Sequence, residues 1–313
     1  MQKCAEAAWK SLNGVICVYK PSHSSCSYVK NSVISNLCND LNALQTRPVQ
    51  NYLEINHTNS DISDISIKVR PSYADNTLCV GPRYQPEDFE VYFTSFLSTL
   101  SSGVLGINEG QFLAKKIAKF CQPKCYQVKG ILGIATEKFY IDDRVIARAK
   151  YHRVTKCLID KLVASYQASY QNRLFQECNV NPQSQEAYEL ATSDILLPNE
   201  TKSPAILGLK CIEFKPPEFT LEVHCIFEKE IFLMNLIHSL GISLKSYATC
   251  SGLRCIKNGI FTVEHALLKK QWNLHNISEN MELCLNTFEK CNSKKTNFTS
   301  TSYSSKAEFH MKN

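Results

Sequence analysis

The Pro216-Pro217 pair and the runs on either side of it constrain this chain most. Residues 205–214 carry Ile206, Leu209, Cys211 and Ile212, while Phe219, Leu221, Val223 and Cys225 occupy every second position after the prolines. Alternation is the period of a half-buried strand, and two such runs across a tight proline turn predict an antiparallel hairpin over 205–214 and 219–227. The period then changes. Ile231, Met234, Ile237 and Leu240 recur at three- and four-residue spacing, which predicts a helix from Glu230 to Leu240 with Gly241 as its stop. Strands and helices mixed in this way, without regular strand–helix–strand repeats, point to the α+β class.

The same reading extends along the chain. Residues 12–20 predict a strand stopped by Pro21, and 26–39 a helix with Val29, Val33 and Leu37 on one face. Residues 40–65 are polar and read as a variable insertion, and Ile65–Val69 alternates like a strand. Residues 110–121 set Phe112, Leu113, Ile117 and Ala118 against lysines, an amphipathic helix pattern. An apolar strand comes next, over 126–134. Thr155 is placed to cap a helix over 156–170 with Leu158, Ile159 and Leu162 inward, and another helix runs from the Pro182 region through Leu190. Residues 285–313, rich in Ser, Thr, Asn and Lys, read as a flexible polar tail.

Bulk properties exclude several classes. The chain has 313 residues, 44% hydrophobic and 20% charged, which is enough to bury a core and unlike a disordered composition. No apolar run reaches the ~18 residues that a membrane-spanning helix needs, so no membrane partner is expected. The fifteen cysteines are odd in number and include no Cys-x-x-Cys pair. Cys121/Cys125 and Cys250/Cys255 lack histidines at zinc-site spacing, so free thiols in a reducing compartment are expected, with no metal. The opening residues do not read as a signal peptide, in line with that expectation. The net charge of +6 is concentrated: residues 115–156 hold eleven Lys/Arg against three Asp/Glu, and the rest of the chain is slightly acidic. Focused positive charge suits a phosphate backbone, and Tyr126, Tyr140 and Tyr151 in the same window suit unstacked bases.

Several ordered blocks carry a resemblance. Leu97-Ser98-Thr99-Leu100-Ser101-Ser102-Gly103-Val104-Leu105 resembles the active-site loop of the TruB family of RNA pseudouridine synthases, Leu-Asp-x-x-Ala-x-Gly-Val/Leu-Leu. Upstream, Asn13-Gly14 through Lys20-Pro21 resembles the family's opening block. Downstream, Lys124-Cys125-Tyr126, Leu132-Gly133 through Thr136, Gln185 through Ala191, and Leu253-Arg254 with Gly259 through Val263 stand in family order. Gln183 through Glu189, Lys202-Ser203-Pro204, Phe214 through Phe219 and Gln271 through Leu274 are most similar to the animal mitochondrial branch. The resemblance covers roughly 10–280. It implies the pseudouridine synthase fold, a bent, mainly antiparallel mixed sheet with flanking helices and a central cleft.

The resemblance also implies a site. The family isomerises uridine to pseudouridine without a cofactor, using an aspartate carboxylate, an arginine paired with it and a tyrosine stacked on the flipped base. Here Tyr126 holds the tyrosine position, Ser98 the aspartate position and Met234 the arginine position. A serine hydroxyl is neutral at pH 7 and attacks only when a base assists it. Loss of both charges leaves no unpaired ion, so the two replacements are mutually consistent. Asp88 or Glu90 is the alternative carboxylate if catalysis persists, and His224, His238 or His265 the alternative base. Lys20, Lys115, Lys116, Lys119, Lys124, Lys129 and Arg254 are the expected RNA contacts. The implied setting is the mitochondrial matrix, with mitochondrial mRNA, rRNA or tRNA and RNA-processing or ribosome-assembly proteins as partners. A protein-interaction scaffold that kept only the fold is the third reading.

Overall fold

The computed structural model describes residues 4–44, 51–57, 65–72, 77–109, 123–192 and 203–308. The predicted 110–121 helix and Lys115, Lys116 and Lys119 lie outside them. In chain order the strands are β1 (Val15–Lys20), β2 (Asn51–His57), β3 (Ile65–Pro71), β4 (Val91–Phe93), β5 (Ser101–Glu109), β6 (Lys124–Leu132), β7 (Ile134–Thr136), β8 (Val145–Arg148), β9 (Ala205–Lys215), β10 (Glu218–Ile226), β11 (Ala248–Asn258) and β12 (Phe261–Thr262). The α-helices are α1 (Ala5–Ser11), α2 (Cys26–Ala43), α3 (Thr77–Val80), α4 (Lys156–Glu177), α5 (Gln185–Thr192), α6 (Glu230–Ser243) and α7 (Leu274–Glu308).

An eight-stranded sheet runs β1-β5-β11-β6-β10-β9, with β4 added to β5 and β12 to β11. Every pairing in it is antiparallel except β5 with β11. The mixed, mainly antiparallel α+β architecture expected from the sequence is therefore present, and the hairpin around Pro216-Pro217 is β9–β10. Within 40–65 the described residues include the end of α2, to Ala43, and β2, which pairs antiparallel with β3 apart from the main sheet.

Register divides the sheet into two faces, because side chains alternate along each strand. One face carries Ile16 and Val18 of β1, Leu105 and Ile107 of β5, Tyr126 and Val128 of β6, and Leu221 and Val223 of β10. Helices α4 and α6 pack on this face and bury it in the main core. On the opposite face, Val15, Cys17, Val104 and Phe261 are covered by Cys284 of α7. Toward β6 and β10 that second face is more open, and it carries the polar row Arg254, Gln127, Glu222, Lys210 across β11, β6, β10 and β9.

Four local expectations change. Gly241 does not stop α6, which runs to Ser243. A Cβ at Gly241 would stand 2.3 Å from the Ala248 nitrogen, so the glycine is there to let the helix approach β11. The left-handed residue that ends the helix is Lys245, at φ 55°. Thr155 is the N-cap of α4, but its side chain caps nothing. Leu158 and Ile231, expected inward, are 45% and 50% exposed, and Ile159 and Val163 carry the buried face of α4.

The fourth change is the C-terminus. Residues 285–308 of the segment expected to be a flexible tail continue α7, whose first turns are docked by a buried stripe: Ile277, Met281 and Cys284, at spacings of four and three. Polar anchors fix its start. Asp40 accepts the Leu274 N–H at 2.7 Å, and Asn280 accepts the Cys17 N–H at 2.8 Å while donating to the His265 carbonyl at 2.7 Å. Low intrinsic propensity is thus overridden by packing against β1. Ile277 is fully buried, so Ile277→Ala is expected to cost about 2–5 kcal/mol in urea denaturation. A cost below ~1 kcal/mol would mean that the helix is not docked on β1.

All the cysteines among the described residues are free thiols. Burial pushes Cys125, Cys250, Cys255 and Cys284 up to about 12 from an ordinary value of 9.0. A thiol whose folded value is raised stabilises the fold fully below its unfolded value, and that stability fades as pH rises past it. Urea midpoints are therefore expected to hold to about pH 8.5 and fall steadily from pH 9 upward. A midpoint that rises between pH 9 and 10.5 would contradict the burial of these thiols.

Candidate active site

The Leu97–Leu105 loop crosses from a turn into β5, and Lys20 holds it in place. Lys20 is fully buried, and its ammonium donates to the carbonyls of Ser101 at 2.6 Å, Pro21 at 3.1 Å and Thr99 at 3.4 Å. Burial pulls the Lys20 ammonium below its ordinary range. Leu97 is buried, and its carbonyl accepts from the Cys26 thiol of α2 at 3.0 Å. Gly103 is paired with Lys20 on one side and Cys255 on the other, at φ 125°, and a Cβ there would lie 2.1 Å from the Cys255 carbonyl oxygen. Only glycine meets both demands.

Ser98 is engaged locally. Its Oγ accepts the Ser101 N–H at 3.3 Å and lies 3.2 Å from the Ser101 Oγ. The Ser101 hydroxyl in turn donates to Glu230 Oε1 at 3.3 Å. Glu230 is the first residue of α6, where the helix dipole favours an anion. One turn later on the same helix, Met234 is 6% exposed and part of the core. A carboxylate therefore does reach the loop, relayed through a serine, and it comes from a residue that sequence reasoning did not single out. Its only signal in the sequence was an acid at a helix start, one turn before Met234.

Of the carboxylates proposed from sequence, Asp88 is in use elsewhere. Asp88 accepts the Gln85 N–H at 2.8 Å in the turn over Pro86–Asp88, and Asp88 and Glu90 are both exposed. The histidines are also occupied. His224 contacts Glu222 and Cys125, His238 stacks on Phe139 at 4.6 Å, and His265 caps the turn at Thr262.

Tyr126 faces the same side of the sheet as Ser101. It is 3% exposed, and its hydroxyl donates to Glu228 Oε1 at 2.8 Å. Lys124 donates to the same oxygen at 2.7 Å, and both charged side chains are nearly closed to water. Burial first, then neighbouring charges including Glu228, pushes the Tyr126 hydroxyl well up. The ring is thus packed in the core, and an open stacking face at Tyr126 requires movement of its cover. Tyr140 is 5% exposed as well, which leaves Tyr151 as the partly exposed member of the expected aromatic set. Sequence reasoning also passed over Phe96, which is 71% exposed beside Leu97 and stacks on Phe93 at 5.2 Å.

The basic residues divide differently from expectation. Lys20 and Lys124 are corrected from phosphate contacts to internal ties, because their ammonium groups are buried and satisfied by protein oxygens. Lys129 and Arg254 are exposed, but register sets them on the opposite face of the sheet from Tyr126, where Arg254 lies 5.8 Å from the Tyr19 ring. Exposed cations do cluster nearby on the β7–β8 hairpin and the approach to α4: Lys138, Arg144, Arg148, Lys150, Arg153 and Lys156. The hairpin turn runs past the site, since Tyr140 bridges to Cys250 and lies within the field of Glu230. A separate hollow of about 450 Å³ between α4 and β9 is lined by Lys156, Asp160, Gln167 and Lys210, away from Ser98.

Comparison with known proteins matches this region. Residues 91–231 match the model of the TruB family pseudouridylate synthase N-terminal domain. The chain is 34% identical to the mitochondrial pseudouridylate synthase TRUB2 of Xenopus tropicalis, over 91% of this chain and 89% of the relative. It is 32% identical to the human protein of that name, over 87% and 84%. Among solved structures, a chain of the archaeal box H/ACA Nop10–Cbf5 complex aligns at TM-score 0.45 and 13% identity, over 88% of this chain and 59% of that one.

The Glu228 node yields a test. Glu228→Ala leaves the buried Lys124 ammonium unpaired and is expected to cost about 3–5 kcal/mol in urea denaturation. The double variant Glu228→Gln/Lys124→Met is expected to recover most of that. Equal losses in both variants would show that Lys124 is hydrated and not tied to Glu228.

Proposed function

Since the chain belongs to the TruB family of pseudouridylate synthases, we propose that it acts on RNA, and that it binds RNA without isomerising uridine. The mitochondrial setting agrees with the relatives, which carry that designation in their names. The observation that carries the proposal is the neutral site at Ser98. Its hydroxyl is spent on Ser101; Met234, which the resemblance aligns with the paired arginine, is buried; and no histidine hydrogen-bonds to Ser98 among the described residues. Opening a glycosidic C–N bond in this family needs an anion at that point, and an unassisted hydroxyl does not supply one.

RNA binding is carried in this reading by the exposed cations from Lys138 to Lys156, which flank the site on the β7–β8 side. Phosphate contacts of this kind weaken steeply with salt, by a slope of about 0.7–0.9 per phosphate engaged. The RNA itself is proposed to be a mitochondrial mRNA, rRNA or tRNA, with RNA-processing or ribosome-assembly proteins as associates. One specific observation favours a second reading. Glu230 reaches the loop through Ser101 and is partly accessible, so it supplies a carboxylate from a new position.

Incubation of the purified protein with a uridine-containing stem-loop, read by mass spectrometry after pseudouridine-specific labelling, separates the readings. The expected result is no pseudouridine together with salt-sensitive binding that survives Ser98→Ala. Pseudouridine that forms with the wild type and disappears in Glu230→Gln would establish the second reading. Absence of RNA binding at low salt would leave only a scaffold role.

A further inference from the structure

We infer that Cys125, Glu222 and His224 form a three-ligand site for a zinc-class divalent cation on the open face of the sheet. The site is separate from the Ser98 loop and does not rest on the RNA-binding reading. Cys125 of β6 and His224 of β10 are directly paired across the ladder, and Glu222 is two residues from His224 on the same face. Their donor atoms all lie within 4.8 Å of one another. A single nitrogen, His224 Nε2, is 3.5 Å from Cys125 Sγ and 2.8 Å from Glu222 Oε1. The three atoms therefore converge on one point.

The spacing fits the ion. Zn–S of ~2.3 Å and Zn–N of ~2.0–2.1 Å at a tetrahedral angle place sulfur and nitrogen ~3.5 Å apart. The Nε2 to Oε1 separation is a hydrogen bond, and it must open by roughly 0.5 Å when a metal replaces the shared proton. One thiolate, one imidazole and one carboxylate is a borderline donor set, suited to zinc and poor for magnesium or calcium. Three protein ligands leave a fourth position for water, which the half-exposed side chains of His224 and Glu222 admit. Gly208 faces His224 from β9, and its lack of a side chain leaves the imidazole room to turn.

The charges are accounted for. Burial, and then Glu222, pushes the Cys125 thiol up to about 12 in the metal-free protein, and Lys257 on β11 pulls it back. Metal binding releases the thiol proton to solvent and places the imidazole N–H on Nδ1, giving a thiolate, a carboxylate and a neutral imidazole against one dication. Lys257 is paired with Cys125 on the other side of β6 and Lys210 with Glu222 on the other side of β10, so each ligand anion has one cation in register. Sequence spacing hid this site, because Cys125 and His224 are 99 residues apart.

The test uses the full chain, stripped with chelator and titrated with zinc against a colorimetric chelator, then with cobalt as a spectroscopic probe. One tight equivalent of zinc is expected, with a thiolate-to-cobalt charge-transfer band and a raised Tm. His224→Ala, at a half-exposed position, is expected to keep its circular dichroism and bind zinc at least tenfold more weakly. Cys125→Ser is expected to lose the charge-transfer band. The inference is overturned if the wild type holds no more zinc than His224→Ala, or if the band persists in Cys125→Ser. Should Cys125→Ser not fold, His224→Ala and Glu222→Gln decide by the same affinity criterion.

Discussion

The sheet depends on three parallel pairs: Ser101 with Leu253, Ser102 with Arg254 and Gly103 with Cys255. Among the described residues they are the only ladder joining β1, β4 and β5 to the rest of the sheet. Parallel pairing is the less stable arrangement per residue, and this one is short. It is made possible by the backbone at Gly103, where a side chain would collide with the facing carbonyl. Gly103 is therefore a requirement of the sheet itself. Once Gly103 is fixed, the chain must turn just before Ser101, and that turn is where Ser98 stands. Lys20, paired with Gly103 from the other side, then gathers the carbonyls the turn leaves unbonded.

The supports of the loop do not run through Ser98 or Met234. The buried cations Lys20 and Lys124 are held by Ser101, Thr99 and Pro21 carbonyls and by Glu228, none of which is at position 98 or 234. Ser98 and Met234 are neutral, and the charges that come near the loop are Lys20, satisfied by neutral carbonyls, and Glu230, which accepts from Ser101. On the proposed alignment, a charge at only one of the two positions would stand without its partner, at a cost of several kcal/mol. Two neutral residues avoid that cost. Glu230 adds a carboxylate, but at the start of α6, where the helix dipole and water stabilise it without an arginine.

Much of this was legible in the sequence, and the failures share a cause. Alternation around Pro216-Pro217 and the three-four spacing after Glu230 named β9, β10 and α6 correctly, because burial on one face is written directly as a period. The same alternation does not say which face is which. Lys129 and Tyr126 lie three residues apart, so they occupy opposite faces, and only register with β11 shows that Arg254 accompanies Lys129. Nor does composition reveal burial of a charge. Lys20 and Lys124 look like every other lysine of the chain until the carbonyls and Glu228 are placed around them. The α7 stripe at Ile277, Met281 and Cys284 was present in the sequence, but the Ser- and Asn-rich surroundings masked it.

Strand β6 serves both faces of the sheet at once. Lys124 and Tyr126 point to the loop side and share one carboxylate, while Cys125 between them points to the open side with Glu222 and His224. Because both flanking ladders hold β6, with β11 on one side and β10 on the other, none of these residues can shift alone. A change in the Cys125 cluster must move the backbone of its two neighbours or be absorbed by side chains on the open face. Close packing on the Tyr126 side and partial exposure of His224 and Glu222 decide between these outcomes: the open face yields first, since rotating a half-exposed side chain costs far less than repacking a core. The two sets of groups are therefore adjacent in sequence yet mechanically separable, so each can be altered by substitution while the other is read out.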